Sequence, residues 1–343
     1  MQPETMKAAR IHEQGAPDVL VFEDVPVPSV QAGEVLVRNE AAGVNFAEIE
    51  RRRAGFYPVP VTELPHVLGV EFAGVVVAVG EGVSGVNTGD RVFGTVGAER
   101  SGCYAQYVAV PAEAVHPLPD GVGFAEATAL LIQGLTAYFL VRDGARLAKG
   151  DSVLVLAAAG GVGSLTVQLA RIMGAGKVIG TAGTPEKRQL VLELGADAAV
   201  DYTQPEWSAV VRRATDGRGV DGALAGVGGE VLSETLGALA PGARVAVYGT
   251  ANGELPAIDF PAQVAAGRLT MNQTLGLFSL YYYQAYARDQ IGPALDELTD
   301  FMRQRRLRPA LGQQLPLSAA AEAHRLIEGR RSTGKTVLLP WAD

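Results

Sequence analysis

The chain has 343 residues, 48% of them hydrophobic and 19% charged, so it holds material for packed cores and is not a disordered chain. A net charge of −8 argues against a nucleic-acid footprint. The single cysteine, Cys103, excludes an intramolecular disulfide and a cysteine-rich zinc lobe.

The opening residues, Met1-Gln2-Pro3-Glu4-Thr5, are polar and acidic and lack a basic-then-apolar signal pattern, which predicts a cytoplasmic protein. Short β-like runs follow at 19–22, 34–39, 72–79, 91–93 and 104–110, broken by Thr88-Gly89-Asp90 and Pro117-Leu118-Pro119-Asp120-Gly121. Many short strands with turn signals predict a barrel-like or sandwich β domain. Helical spacing begins at 124–141. A membrane span needs about 20 continuous apolar residues; Glu126 and Gln133 interrupt this stretch, so a buried helix and no membrane partner are expected. From 152 the pattern alternates. Strands at 152–156, 178–181, 198–202, 221–225 and 244–248 are interleaved with helices at 160–173, 185–194, 207–214 and 230–239, which predicts βαβ units and a parallel sheet. Helices at 291–304 and 318–328 precede a last strand at 335–339, and this tail is expected to return to the first domain.

The junction Leu154-Val155-Leu156-Ala157-Ala158-Ala159-Gly160-Gly161-Val162-Gly163 fits G-x-G-x-x-G with Ala158 in place of the first glycine. Glycines at 160, 161 and 163 allow close backbone approach to a pyrophosphate, and the helix N-terminus offers free N–H groups. About 20 residues on, an NAD site carries an acidic residue. Here the second strand ends Ile179-Gly180-Thr181-Ala182-Gly183-Thr184, followed by Lys187 and Arg188. With 5 lysines against 24 arginines in the chain, each lysine is worth locating. A cation without a nearby acid suits a dianionic 2′-phosphate, so NADPH is the expected cofactor.

Several further segments carry a resemblance: Gly43-Val44-Asn45-Phe46, Gly55-Phe56-Tyr57-Pro58, Leu68-Gly69-Val70-Glu71-Phe72-Ala73-Gly74, Gly89-Asp90-Arg91-Val92, Gly134-Leu135-Thr136-Ala137, Gly183-Thr184 with Lys187, Asp201-Tyr202 and Gly334-Lys335. Together with the glycine loop they resemble the medium-chain dehydrogenase/reductase superfamily, in its zinc-free quinone oxidoreductase (ζ-crystallin-like) branch, from about Met6 to Pro340. The resemblance implies an α/β protein: a GroES-like β-barrel catalytic domain (1–124 and 276–343) interrupted by an inserted, doubly wound Rossmann domain (125–275), with the active site in the cleft between them and a homodimer as the assembly. It implies that Gly183, Lys187 and Tyr202 hold the 2′-phosphate, that Asn45 and Thr136 lie near the nicotinamide, that Tyr248-Gly249-Thr250 makes backbone contacts with the cofactor, and that Lys335 lies near it.

Zinc members of the superfamily place a cysteine where Val44 stands and a histidine where Val70 stands. Glu71 alone cannot hold zinc, and His12, His66, His116 and His324 lack ligand spacing, so no metal site is expected. Hydride transfer to a conjugated acceptor then fits better than reduction of an unactivated ketone. The oxyanion that forms needs donors, for which Asn45 and Tyr57 are the catalytic candidates and Tyr138 a third. Asn45 can serve either the nicotinamide amide or the substrate carbonyl. Glu48 stands where many relatives carry Asp. Arg51-Arg52-Arg53 is either an attractor for an anionic or thioester substrate or, more commonly, a solvated helix face. The aromatic run at 277–286 suits core or interface packing, and Cys103 has no adjacent base. The expected function is NADPH-dependent reduction of a quinone or α,β-unsaturated carbonyl. Its rivals are an enoyl-thioester reductase and a non-catalytic NADPH-binding module.

Overall fold

A computed structural model describes residues 3–54, 60–61, 63–251 and 258–343. The chain forms two units, Met1–Ile132 with Leu311–Asp343, and Gln133–Ala310. Its strands in chain order begin with β1 (Thr5–Ile11), β2 (Leu20–Pro26), β3 (Glu34–Val44), β4 (His66–Val67), β5 (Glu71–Val79), β6 (Arg91–Thr95), β7 (Tyr107–Pro111) and β8 (Val115–Pro117). The middle supplies β9 (Ser152–Val155), β10 (Lys177–Thr181), β11 (Ala198–Val200), β12 (Val220–Ala225), β13 (Leu239–Val247) and β14 (Thr274–Leu277), and the tail supplies β15 (Leu311–Pro316) and β16 (Lys335–Leu339).

The first unit is built on β3. Val35, Leu36, Val37, Ala41, Ala42 and Val44 are all fully buried, so this strand is covered on both faces. One edge pairs with β5; the other pairs with β7 in its first half and β16 in its second. The strand therefore runs on to Val44, beyond the predicted 34–39. Ala41, Ala42 and Gly43 have little β propensity of their own, and pairing with β5 and β16 imposes the extended backbone. The same unit holds a smaller sheet, β2-β1-β4, with an isolated bridge from β1 at Ala8 to Ala105.

The second unit carries a six-stranded sheet in the order β11-β10-β9-β12-β13-β14, parallel throughout. The chain starts at the central β9, moves outward to β10 and β11, then crosses to β12. The order reverses between β9 and β12, a topological switch point of the kind at which α/β sheets bind ligands. The division between units differs from the expected 125–275. β14 pairs with β13 through Leu277, and helix Ile291–Arg303 buries Ala294, Leu295, Leu298 and Phe301, so residues up to Ala310 stay with the parallel sheet. At the other end, helix Phe124–Ala129 packs on β3 and β5 and belongs to the first unit. The helical run Phe124–Gly144 is long and apolar enough to cross a membrane, and most of it is buried within the protein.

Candidate active site

The glycine loop leads from the carboxyl end of β9 into helix Gly161–Ile172. The residue with positive φ is Ala157 (φ 49°), whereas Gly160, the N-cap, is extended (φ −81°). These glycines are needed for space rather than for their dihedrals. A Cβ on Gly163 would overlap the Ala157 carbonyl oxygen and lie 2.7 Å from Ala158 Cα. A Cβ on Gly161 would overlap Gln133 Oε1, a buried acceptor without a hydrogen-bond partner among the described residues. The N-cap, Gly160, has no side chain to cap this helix, and among the described residues no side chain accepts from the N–H groups of Gly161, Val162 and Gly163. A concave backbone surface with uncapped N–H groups fits a pyrophosphate.

Parallel strands deliver the other expected residues to the same carboxyl edge. Gly183 follows β10 and Tyr202 follows β11; a Cβ on Gly183 would stand 3.6 Å from the Tyr202 hydroxyl, so the fold brings the two together. Thr184 caps helix Pro185–Glu193 by accepting from the Lys187 backbone N–H. The two cations there differ. Arg188 pairs with Asp201 at 2.8 Å and donates to the Ala182 carbonyl, while Lys187 is half-buried and its burial lowers its pKa. A dianion beside Lys187 would offset that desolvation. Tyr248, Gly249 and Thr250 follow β13 at the same edge, with the Tyr248 ring packed on Gly226 at the end of β12. Thr136 is buried in helix Leu135–Phe139.

The first unit carries a buried charged cluster. Lys335 Nζ lies 2.5 Å from Glu71 Oε2 and 3.0 Å from Asn45 Oδ1, and Asn45 Nδ2 donates to Glu71 Oε2 at 2.9 Å. Glu71 Oε1 accepts from the Ile132 N–H at 2.7 Å. Strand register explains the meeting, since Gly43 on β3 is opposite Glu71 on β5 and Val337, two residues past Lys335, on β16. Glu71 reaches across Gly43, where a Cβ would overlap its Oε2 and lie 2.7 Å from Lys335 Cε. Glu48, in helix Phe46–Ala54, accepts from the Asn45 backbone N–H at 2.9 Å; burial and the Glu71 charge raise its pKa to about 7.

Sequence reasoning assigned no role to Glu71 beyond its insufficiency for zinc, and none to Gly43 or Gln133. One signal was available: Lys335 is one of only 5 lysines and opens a strand that ends in Val337-Leu338-Leu339. Its ammonium is committed to Glu71 and Asn45. The positions of the expected zinc ligands, Val44 and Val70, are buried hydrophobic residues, and among the described residues no group of three His, Cys, Asp or Glu is arranged to hold a metal.

Other candidates have different surroundings. Tyr57 lies outside the described residues. Tyr138 donates its hydroxyl to Glu297 at 2.5 Å. Arg51 and Arg52 do not form a solvated face; both are buried and only Arg53 is exposed. Arg51 contacts Ser101 Oγ (3.3 Å) and His66 Nε2 (3.5 Å), and Arg52 pairs with Glu328. Burial and the nearby Arg51 charge bring the His66 pKa down to about 4. His324 is fully buried against the Tyr104 hydroxyl at 3.2 Å, and burial brings its pKa to about 3. In the aromatic run, Tyr283 stacks on Phe139 with centroids 3.8 Å apart, while Tyr282 and Tyr286 are exposed.

Comparison with known proteins agrees with this layout. Residues 31–120 match the alcohol dehydrogenase GroES-like domain and residues 161–290 the zinc-binding dehydrogenase domain. A 2-haloacrylate reductase from a Burkholderia species is 35% identical over 98% of this chain and 99% of its own length. The quinone oxidoreductase of Pseudomonas aeruginosa is 34% identical over 95% of this chain and 97% of its own. The crystal structure of Escherichia coli quinone oxidoreductase complexed with NADPH superposes with a TM-score of 0.87 at 29% identity, covering 97% of this chain and 100% of that one. With a GroES-like unit, a Rossmann-type unit and this similarity along nearly the whole chain, the protein belongs to the quinone oxidoreductase branch of the medium-chain dehydrogenase/reductase superfamily of oxidoreductases.

Proposed function

We propose that this chain uses NADPH to reduce a quinone or an α,β-unsaturated carbonyl compound. The observation that carries the cofactor assignment is the end of β10: Lys187 is half-buried in the first turn of the helix that follows Gly183, and the Asp201 carboxylate at the end of β11 is held by Arg188. Bound NADPH supplies a hydride. The glycine loop takes the pyrophosphate on the Gly161, Val162 and Gly163 N–H groups, and Lys187 takes the 2′-phosphate. Tyr248, Gly249 and Thr250 contribute main-chain contacts, and Thr136 stands near the nicotinamide.

A conjugated acceptor that receives hydride develops negative charge on its carbonyl oxygen. Val44 and Val70 offer no ligand atoms for a Lewis acid, and the Glu71 carboxylate is neutralised by Lys335. The activating group on this chain is therefore a hydrogen-bond donor, the Asn45 carboxamide, with Tyr57 as the second donor. The printed names of the relatives agree in chemistry, because quinones and 2-haloacrylates both place a C=C bond in conjugation with a carbonyl group. The protein acts as a homodimer through the β14 edge, where Leu277 is 76% exposed; Met271 and Tyr286, in the segments before and after β14, are 71% and 80% exposed. An unpaired, apolar strand edge of this kind is prone to pair with another chain.

The test compares NADPH and NADH oxidation by wild type and Lys187→Ala, with a quinone, a free enone and an enoyl-CoA thioester as acceptors. A charge-assisted phosphate contact of roughly 1.5–3 kcal/mol corresponds to at least about a tenfold NADPH preference, lost in the variant. An unchanged preference refutes the 2′-phosphate assignment. Turnover of the thioester alone would indicate an enoyl-thioester reductase, and NADPH binding without any turnover a non-catalytic module.

A further inference from the structure

The two partners of the Asn45 carboxamide determine which way it points. An ammonium only donates and an ionised carboxylate only accepts. Lys335 Nζ, 3.0 Å away, therefore requires oxygen on its side, and Glu71 Oε2, 2.9 Å away, requires nitrogen on the other. Turning the amide over would set NH2 against ammonium and C=O against carboxylate. The partners are themselves held. Glu71 and Lys335 pair at 2.5 Å, Glu71 is anchored by the Ile132 N–H, and Gly43 leaves the room in which they meet. Asn45, Glu71 and Lys335 are all buried, so water does not compete for these bonds. One Nδ2 hydrogen is taken by Glu71, and the second has no acceptor among the described residues. With Oδ1 occupied by a cation, electron density is drawn from the amide nitrogen, which strengthens the remaining N–H as a donor.

We propose that Glu71 and Lys335 are positioning residues that orient the Asn45 carboxamide so that its second Nδ2–H, and not its oxygen, meets the carbonyl oxygen of the acceptor. This rests on the reading above that the chain reduces conjugated carbonyl compounds. The sequence leaves Asn45 open to two roles, and the cluster selects the donor role toward the acceptor.

Two measurements test it on the full-length protein. In the first, asparagine-selective 15N labelling resolves the carboxamide signals of the five asparagines, with Asn45→Ala identifying its pair and the exposed Asn87 as internal reference. The two Asn45 Nδ2 protons are expected to be farther apart in shift than those of Asn87. They should collapse toward the Asn87 pattern in Lys335→Met/Glu71→Gln, which removes both charges at similar side-chain length. If that variant does not fold, the wild-type spectrum decides, and an Asn87-like pair overturns the proposal. In the second, 1,4-naphthoquinone reduction at saturating NADPH should slow at least about tenfold in Asn45→Ala and in the double variant, with NADPH affinity unchanged within about threefold. The triple variant should be no slower than Asn45→Ala within about twofold, because all three residues act through one amide. Additive losses, or a loss of NADPH affinity in place of turnover, overturn the proposal. If the wild type reduces no acceptor, the proposed function fails, while the amide spectrum still decides the orientation.

Discussion

The loop at 157–163 and the cluster around Asn45 are constructed in opposite ways. In the loop, side chains are left out so that backbone packs on backbone and helix N–H groups stay uncapped. In the cluster, charged side chains are buried and neutralise one another, with a single glycine making the space. A surface made of backbone tolerates changes in neighbouring side chains but not an added Cβ. A surface made of charge tolerates neither the loss of one partner nor intrusion between the two.

The largest effect expected from this contrast is that of Gly43→Val. A side chain there drives Glu71 from Lys335 and leaves two buried charges uncompensated, which costs about 4 kcal/mol. Urea unfolding monitored by circular dichroism measures it, and a loss below about 1 kcal/mol would show that the cluster relaxes freely. In the loop, Gly163→Ala meets backbone at Ala157 and Ala158 and should cost about 3 kcal/mol and abolish NADPH binding. Gly161→Ala meets the Gln133 side chain first, so adding Gln133→Ala should restore NADPH binding to within about threefold of wild type. Failure of that rescue would mean that the loop itself, and not the neighbouring side chain, rejects the methyl group.

Acidity separates the regions next. The folded protein holds the Glu48 proton up to about pH 7, against an ordinary value of 4.5, because of burial and the Glu71 charge, with Lys335 opposing. The unfolded chain releases this proton first as pH rises through 4.5, so the folded state binds more protons and stability falls between pH 4.5 and 7. Glu48→Gln should remove that fall and stabilise the protein at pH 8 by an amount of the order of 2 kcal/mol, read from denaturation midpoints. His324 acts at the acid end. Its folded value near 3 lies below the ordinary 6.5, so the unfolded state gains the proton first and stability declines as pH falls from 6.5 toward 3. His324→Gln should flatten that limb. The smallest effect is Ala157→Gly, which relieves a positive φ at the cost of chain entropy and should stabilise by about 0.5 kcal/mol in thermal unfolding.

What was legible in the sequence was local. The glycine loop occupies consecutive residues, and Gly183 and Lys187 follow the next strand at a set distance, so backbone spacing alone brought the dinucleotide reading within reach. The βαβ alternation was legible for the same reason, since each element is encoded by its own period. The extension of β3 through Ala41-Ala42-Gly43 was not, because its extended backbone comes from two neighbouring strands. Nor was the burial of Arg51 and Arg52, whose partners Ser101, His66 and Glu328 are distant in sequence.

By itself the sequence determined the fold class, the family and the backbone cradle, all of which depend on short-range pattern and on residues that leave space. Only the tertiary structure decided the orientation of Asn45. Residues 45, 71 and 335 meet because β3, β5 and β16 pair in one register, and a single-residue slip would turn each of those side chains to the opposite face.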